Sequence, residues 1–164
     1  MNTPLIFRKL HLDDTQFIIE LLNDPLWLQY IGDRGIYSEA DARRYIEQSL
    51  QHFDTHKYGL WAVQPHFGEP LGLCGLINRG VFSCPDLGFA FLPKARGKGI
   101  AAKAVSEVIR RARDQFHFPY LTAVCDPDNQ RSITLLRNNG FNRYGRYFFP
   151  KSQQSTCFYW LNLI

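Results

Sequence analysis

Two glycines set in a basic run, Leu92-Pro-Lys-Ala-Arg-Gly-Lys-Gly-Ile-Ala-Ala, form the segment best suited to chemistry. Glycine lets a backbone turn tightly and approach a ligand closely. The residues behind it read as a helix start, whose first N–H groups have no partner in the helix and sit at its positive dipole end. That combination suits a phosphate, and Lys94, Arg96, Lys98 and Lys103 crowd the same corner, which suits a ligand carrying several. A solvated basic turn with ordinary helix capping is the alternative. Further along, Asp86, Cys125, Asn129 and Ser132 supply an acid, a thiol, an amide and a hydroxyl. His52 and His56 are four residues apart and could share one helix face.

Three phosphate-binding patterns compete for the glycines. The triphosphate loop GxxxxGK(S/T) is not met. The dinucleotide pattern GxGxx(G/A) is matched literally by Gly97 to Ala102. In that fold, however, the first glycine follows its strand at once, whereas Pro93 to Arg96 intervene here. About 38 residues after Asp126 are too few for the rest of a doubly wound sheet.

The elements that position these residues follow from periodicity. Leu87 to Leu92 is a short apolar run of the buried-strand kind, and Tyr120 to Cys125 is another. Between them Ile100, Ala101, Ala104, Val105, Val108, Ile109 and Ala112 make one apolar helical stripe. Asp128 or Asn129 starts a later helix that Gly140 ends. Upstream, Leu5 to Leu10 predicts a strand, and Asp13 or Asp14 caps a helix that stops near Asn23-Asp24-Pro25. Ser38 and Asp41 resemble a capping box for a second helix. Tyr58 to Gln64 and Leu71 to Ile77 read as a hairpin, and Phe141 to Phe149 and Ser155 to Leu161 as two closing strands. The expectation is an α/β mixed sheet with antiparallel flanks, a central βαβ unit and about four helices, in one domain over residues 1–164.

Composition agrees. Across 164 residues, 45% hydrophobic and 21% charged residues suit a packed globule, and a net charge of +4 is too mild to name a polyanionic partner. No membrane-length apolar run or secretory leader is seen, and Cys74, Cys84, Cys125 and Cys157 lack CxxC spacing. The expectation is a cytoplasmic protein with four thiols, no membrane and no metal site, since His52 and His56 lack a third ligand.

Arg96-x-x-Gly99-x-Ala101 resembles the acetyl-coenzyme A signature of the GNAT N-acetyltransferase superfamily. Asp86-Leu87-Gly88-Phe89 before it, and Asn129-x-x-Ser132-x-x-Leu135-x-x-x-x-Gly140-Phe141 after it, are similar to the family's flanking strand and helix. The opening Leu5 to Leu10, followed by Asp13-Asp14, resembles the ribosomal-protein (RimJ/RimL-like) branch. The resemblance implies a GNAT-like fold and acetyl-coenzyme A as co-substrate. The backbone of Arg96, Gly97, Lys98, Gly99, Ile100 and Ala101 would lie at the pyrophosphate, and the strand edge at Phe91 and Leu92, with Asn129, along the pantetheine arm. It also implies a primary-amine acceptor, either a small molecule or a protein N-terminus.

Many relatives carry a Tyr as general acid four residues beyond the Ser132 position, and Leu136 stands there instead. Ser132 is then the candidate acid, against a plain helix-start hydroxyl, and Asp86 the candidate base or cation anchor, against a bland strand-end residue. Tyr144 or an ordered water stands next in line as acid. Trp27, Tyr30, Tyr37, Phe148 and Phe149 are candidate acceptor-pocket rings. Two rivals from other classes remain: a non-catalytic coenzyme A sensor, and a nucleic-acid-binding domain using Arg110, Arg111 and Arg113. A solvated helix face explains those arginines more simply, so no nucleic-acid partner is expected.

Overall fold

The computed structural model describes residues 4–150 and 154–164. Seven strands form one mixed sheet: β1 (Leu5–Arg8), β2 (Leu60–Pro65), β3 (Gly72–Ile77), β4 (Asp86–Phe91), β5 (Tyr120–Cys125), β6 (Asn142–Phe149) and β7 (Gln154–Asn162). Their order is β1-β2-β3-β4-β5-β7-β6. Among the described residues only β4 and β5 run parallel, and α4 (Ile100–Asp114) connects them, so the expected βαβ unit sits between two antiparallel wings.

Strand alternation divides the core between two faces. Trp61, Val63, Leu87, Phe91, Leu121 and Tyr159 face α4, which buries Ala104, Val105, Val108 and Ala112 against them. Ala62, Leu73 and Leu92 face the other way, against α1 (Thr15–Leu22), α2 (Pro25–Tyr30) and α3 (Glu39–His56). The fifth helix, α5 (Gln130–Asn138), docks through the buried Leu136.

Most caps lie where the residue types put them. Ser38 and Asp41 exchange backbone and side-chain bonds at the start of α3, and Gly140, at φ 87°, follows α5. Two local expectations change. Asp14 does not cap α1 through its side chain; its carboxylate accepts from the Arg8 guanidinium at 2.7 and 2.9 Å and from the His11 N–H at 2.7 Å. Asn23-Asp24-Pro25 ends one helix and also begins another: the Asp24 carboxylate accepts from Leu26 N–H at 3.2 Å, and Pro25, whose missing N–H costs nothing at a first helical position, opens α2. Among the described residues there are therefore five α-helices. Among the described residues no helix is long and apolar enough to cross a membrane.

Candidate active site

β4 and β5 touch in register only at Asp86 and Thr122 and then part. The Leu92 N–H donates to Leu71 at 2.8 Å, which makes residues 71 and 92 a hydrogen-bonded antiparallel pair. By alternation, Phe89 and Phe91 turn their backbone groups away from β3 and toward the opening. A cleft of about 1000 Å³ lies along β4 at Phe89 to Phe91. Its floor is Phe89, Ala90 and Phe91. One wall is α5 with Asn129, Ser132, Thr134, Leu135 and Asn138, and the other is Leu21, Asp24, Leu26, Trp27, Tyr30 and Ile31.

The turn between β4 and α4 closes one end. Gly97 and Gly99 both adopt φ 71°, in the left-handed region that strains other residues, and a Cβ on either would meet no protein atom within 4 Å. Gly99 is the N-cap of α4, so the first N–H groups of a 15-residue helix face the cleft together with the lining residues Ile100 to Ala102. These features fit a pyrophosphate: backbone donors, a dipole end and room beside glycine.

Eight expected residues, Phe91, Arg96, Gly97, Gly99, Ile100, Ala101, Asn129 and Ser132, line this one cleft. Asn129 is the N-cap of α5, where its side-chain oxygen accepts from the Ser132 N–H at 3.2 Å, fixing Ser132 in the first turn. Lys98 sits exposed at the tip of the turn and does not line the cleft. Leu92 is fully buried against the α1–α3 face and its N–H belongs to β3, so the open edge is made by Phe89 and Phe91 instead.

Asp86 does not line the cleft either. Its side chain is 1% exposed, accepts from Arg79 Nε and from Thr122 Oγ1, and lies at the end of β4 away from the turn. A carboxylate neutralised by a guanidinium and closed off from the cleft is placed as a clasp between β4 and β5 where they part. Burial pushes the Cys125 thiol up to about 12, which favours its protonated form at neutral pH. Tyr144 is 68% exposed on β6, outside the cleft. Of the candidate pocket rings, Trp27 and Tyr30 line it, while Tyr37, Phe148 and Phe149 do not.

The rival sites lose their free groups. His52 holds backbone partners at both ring nitrogens: Nδ1 is 2.9 Å from the Tyr58 carbonyl oxygen, and Nε2 accepts from Asn78 N–H at 3.0 Å. Arg110 and Arg111 donate to Glu107, Arg113 donates to Asp114, and Arg111 also covers the rings of Phe7 and Trp61. Sequence reasoning missed Asp24, Phe89 and the α5 residues Thr134, Leu135 and Asn138. The Asp-Pro pair was a readable helix start; the others depend on which way a strand or helix turns.

The acetyltransferase (GNAT) domain model matches residues 4–142. An acetyltransferase from Agrobacterium tumefaciens superposes with a TM-score of 0.81 at 19% identity, covering 99% of this chain and 93% of that one. The ribosomal-protein-S5-alanine acetyltransferase from Vibrio fischeri gives 0.80 at 16%, covering 96% and 92%. The microcin C7 self-immunity acetyltransferase MccE, in complex with acetyl-CoA and AMP, gives 0.79 at 14%, covering 99% and 93%. With the family model spanning most of its length and the same fold recurring in these structures, the chain belongs to the GNAT acetyltransferase family.

Proposed function

We propose that this protein transfers the acetyl group of acetyl-coenzyme A to a primary amine, by direct attack within a ternary complex. The parting of β4 from β5 beside the glycine turn carries the reading, because it leaves the β4 edge at Phe89 and Phe91, the start of α4 and the Ser132 turn around one cleft. The first turn of α4 would hold the pyrophosphate, the backbone of Phe89 and Phe91 would pair with the pantetheine amides, and the amide nitrogen of Asn129 would contact the same arm. Binding acetyl-CoA is supported by the MccE neighbour, whose structure contains it.

The chemistry needs a neutral amine to attack the thioester carbon, N–H donors toward the carbonyl oxygen, and an acid for the departing sulfur. A C–N bond forms and the C–S bond breaks; the amine gives up a proton and the thiolate takes one. Ser132 is the group assigned to protonate the sulfur, directly or through water. Leu136, where relatives carry a phenol, is buried in the core and supplies none. With Asp86 clasped by Arg79, a water in the cleft takes the amine proton.

The Vibrio fischeri neighbour is named for an alanine of a ribosomal protein, which favours a protein N-terminus as acceptor. Four free thiols fit a reducing cytoplasm. Thiol release from acetyl-CoA should be measured with an alanine-starting peptide, spermidine, an aminoglycoside and a free amino acid. Release that requires both substrates, and is fastest with the peptide, is expected. Tight coenzyme A binding without release to any amine would make this a sensor instead.

A further inference from the structure

Arg96 does not point its guanidinium at the helix start. One nitrogen, Nη2, donates to the Asp24 carboxylate at 2.5 Å and to the Phe91 carbonyl oxygen at 3.0 Å. Asp24 is 5% exposed at its side chain and lines the cleft, and the same carboxylate oxygen caps α2 through the Leu26 N–H. A single guanidinium nitrogen therefore ties together the start of α2, the last residue of β4 and the residue before Gly97. The fastening also engages the Phe91 carbonyl, so a ligand that donates to the strand edge there must share that oxygen with Arg96.

α2 depends on such fastening. It has six residues, fewer than two turns, and helices that short are not stable by themselves. Its other anchor is Trp27, largely buried, whose Nε1 donates to Gly32 O at 3.1 Å. Yet α2 carries Leu26, Trp27 and Tyr30, which line the cleft wall facing α5.

We propose that Asp24 is a positioning residue which, through Arg96, couples the glycine turn to α2, so that filling the turn with a pyrophosphate stiffens the opposite wall of the cleft. The inference rests on the reading of that turn as the coenzyme site. By linkage, whatever α2 gains when the turn is filled, a ligand held by α2 returns to the affinity of the turn.

The test uses the full chain and coenzyme A itself as probe, with affinity read by calorimetry and α2 by hydrogen exchange at the Leu28 and Ile31 amides. Asp24→Asn keeps a capping oxygen and removes the charge; Arg96→Met keeps the stem and removes the donors. Asp14→Asn is the control, because it weakens a similar ion pair, Arg8 with Asp14 at 2.7 Å, that lies outside the cleft.

In the wild type, coenzyme A should slow α2 exchange about tenfold, within the usual range of coupling between sites. Asp24→Asn and Arg96→Met should each weaken coenzyme A about tenfold and abolish that slowing. The double variant should be no worse than either single one. Asp14→Asn should lower Tm while keeping both affinity and slowing. Wild-type slowing in Asp24→Asn, additive losses in the double variant, or the same loss in Asp14→Asn would each overturn the coupling. If Asp24→Asn does not fold, Arg96→Met decides by the same two readouts. A wild type that does not bind coenzyme A overturns the underlying site and not the coupling alone.

Discussion

Gly99 and Ser132 stand at the starts of two helices that meet the same cleft, and each can be tested by one substitution. Gly99→Val puts a β-branched side chain at φ 71°, where it meets no protein atom but fills the space beside the helix N–H groups. Its strain is about 1–2 kcal/mol, small enough to leave the fold standing. Calorimetry should show coenzyme A affinity lost from a protein that still melts cooperatively. Ser132→Ala should lower kcat by roughly 10²–10⁴ with coenzyme A affinity little changed; a loss under about threefold would return the hydroxyl to a capping role. At this scale the sequence was legible wherever the candidate site rests on local backbone, as at Gly97, Gly99 and Asn129. It was not legible where function depends on partners far along the chain. Asp86 reads as a base until Arg79 and Thr122 are seen on its oxygens, and Arg96 reads as a phosphate ligand until Asp24, 72 residues away, is found to hold it.

Elements were read well where they repeat a period over many residues. The stripe of α4 and the apolar runs of β4 and β5 lie within a residue or so of their expected bounds. α2 escaped because six residues show too little periodicity, and because Asp24-Pro25 stops α1 as plainly as it starts α2. The end of α3 carries its own device. Desolvation lowers the pKa of His52, its bond to the Tyr58 carbonyl opposes that, and nearby His56 lowers it further. Protonation of Nε2 would remove the acceptor used by Asn78 N–H, at the residue before Arg79. Because the folded pKa lies below the unfolded value, the stabilisation is complete above pH about 6.5 and is lost as pH falls from there through the lower folded pKa. Denaturant melts from pH 7.5 to 5 should show stability declining on the acid side. His52→Asn should flatten that part of the slope; an unchanged slope would assign the decline to other groups.

At the scale of the molecule, many of its arginines are tied to acids: Arg8, Arg44, Arg79, Arg96, Arg110, Arg111 and Arg113 each face a carboxylate. Apart from α2, the order of helices and strands along the chain was legible from sequence. The order of strands across the sheet was not, because β7 inserts between β5 and β6 and no local pattern announces that. The parting of β4 and β5 gives the sheet the character of a book held by its spine, the spine being Asp86, Thr122 and the Thr122 N–H bond to Pro85 O. A ligand spanning the open pages would perform the work of the missing ladder, so part of the stability of the folded chain should be set by ligand supply. At about 100 times Kd, such a ligand adds ~2.7 kcal/mol. The melting temperature should therefore climb steadily with coenzyme A concentration in the wild type and stay flat in Gly99→Val, which makes heat tolerance a gauge of how much coenzyme surrounds the protein.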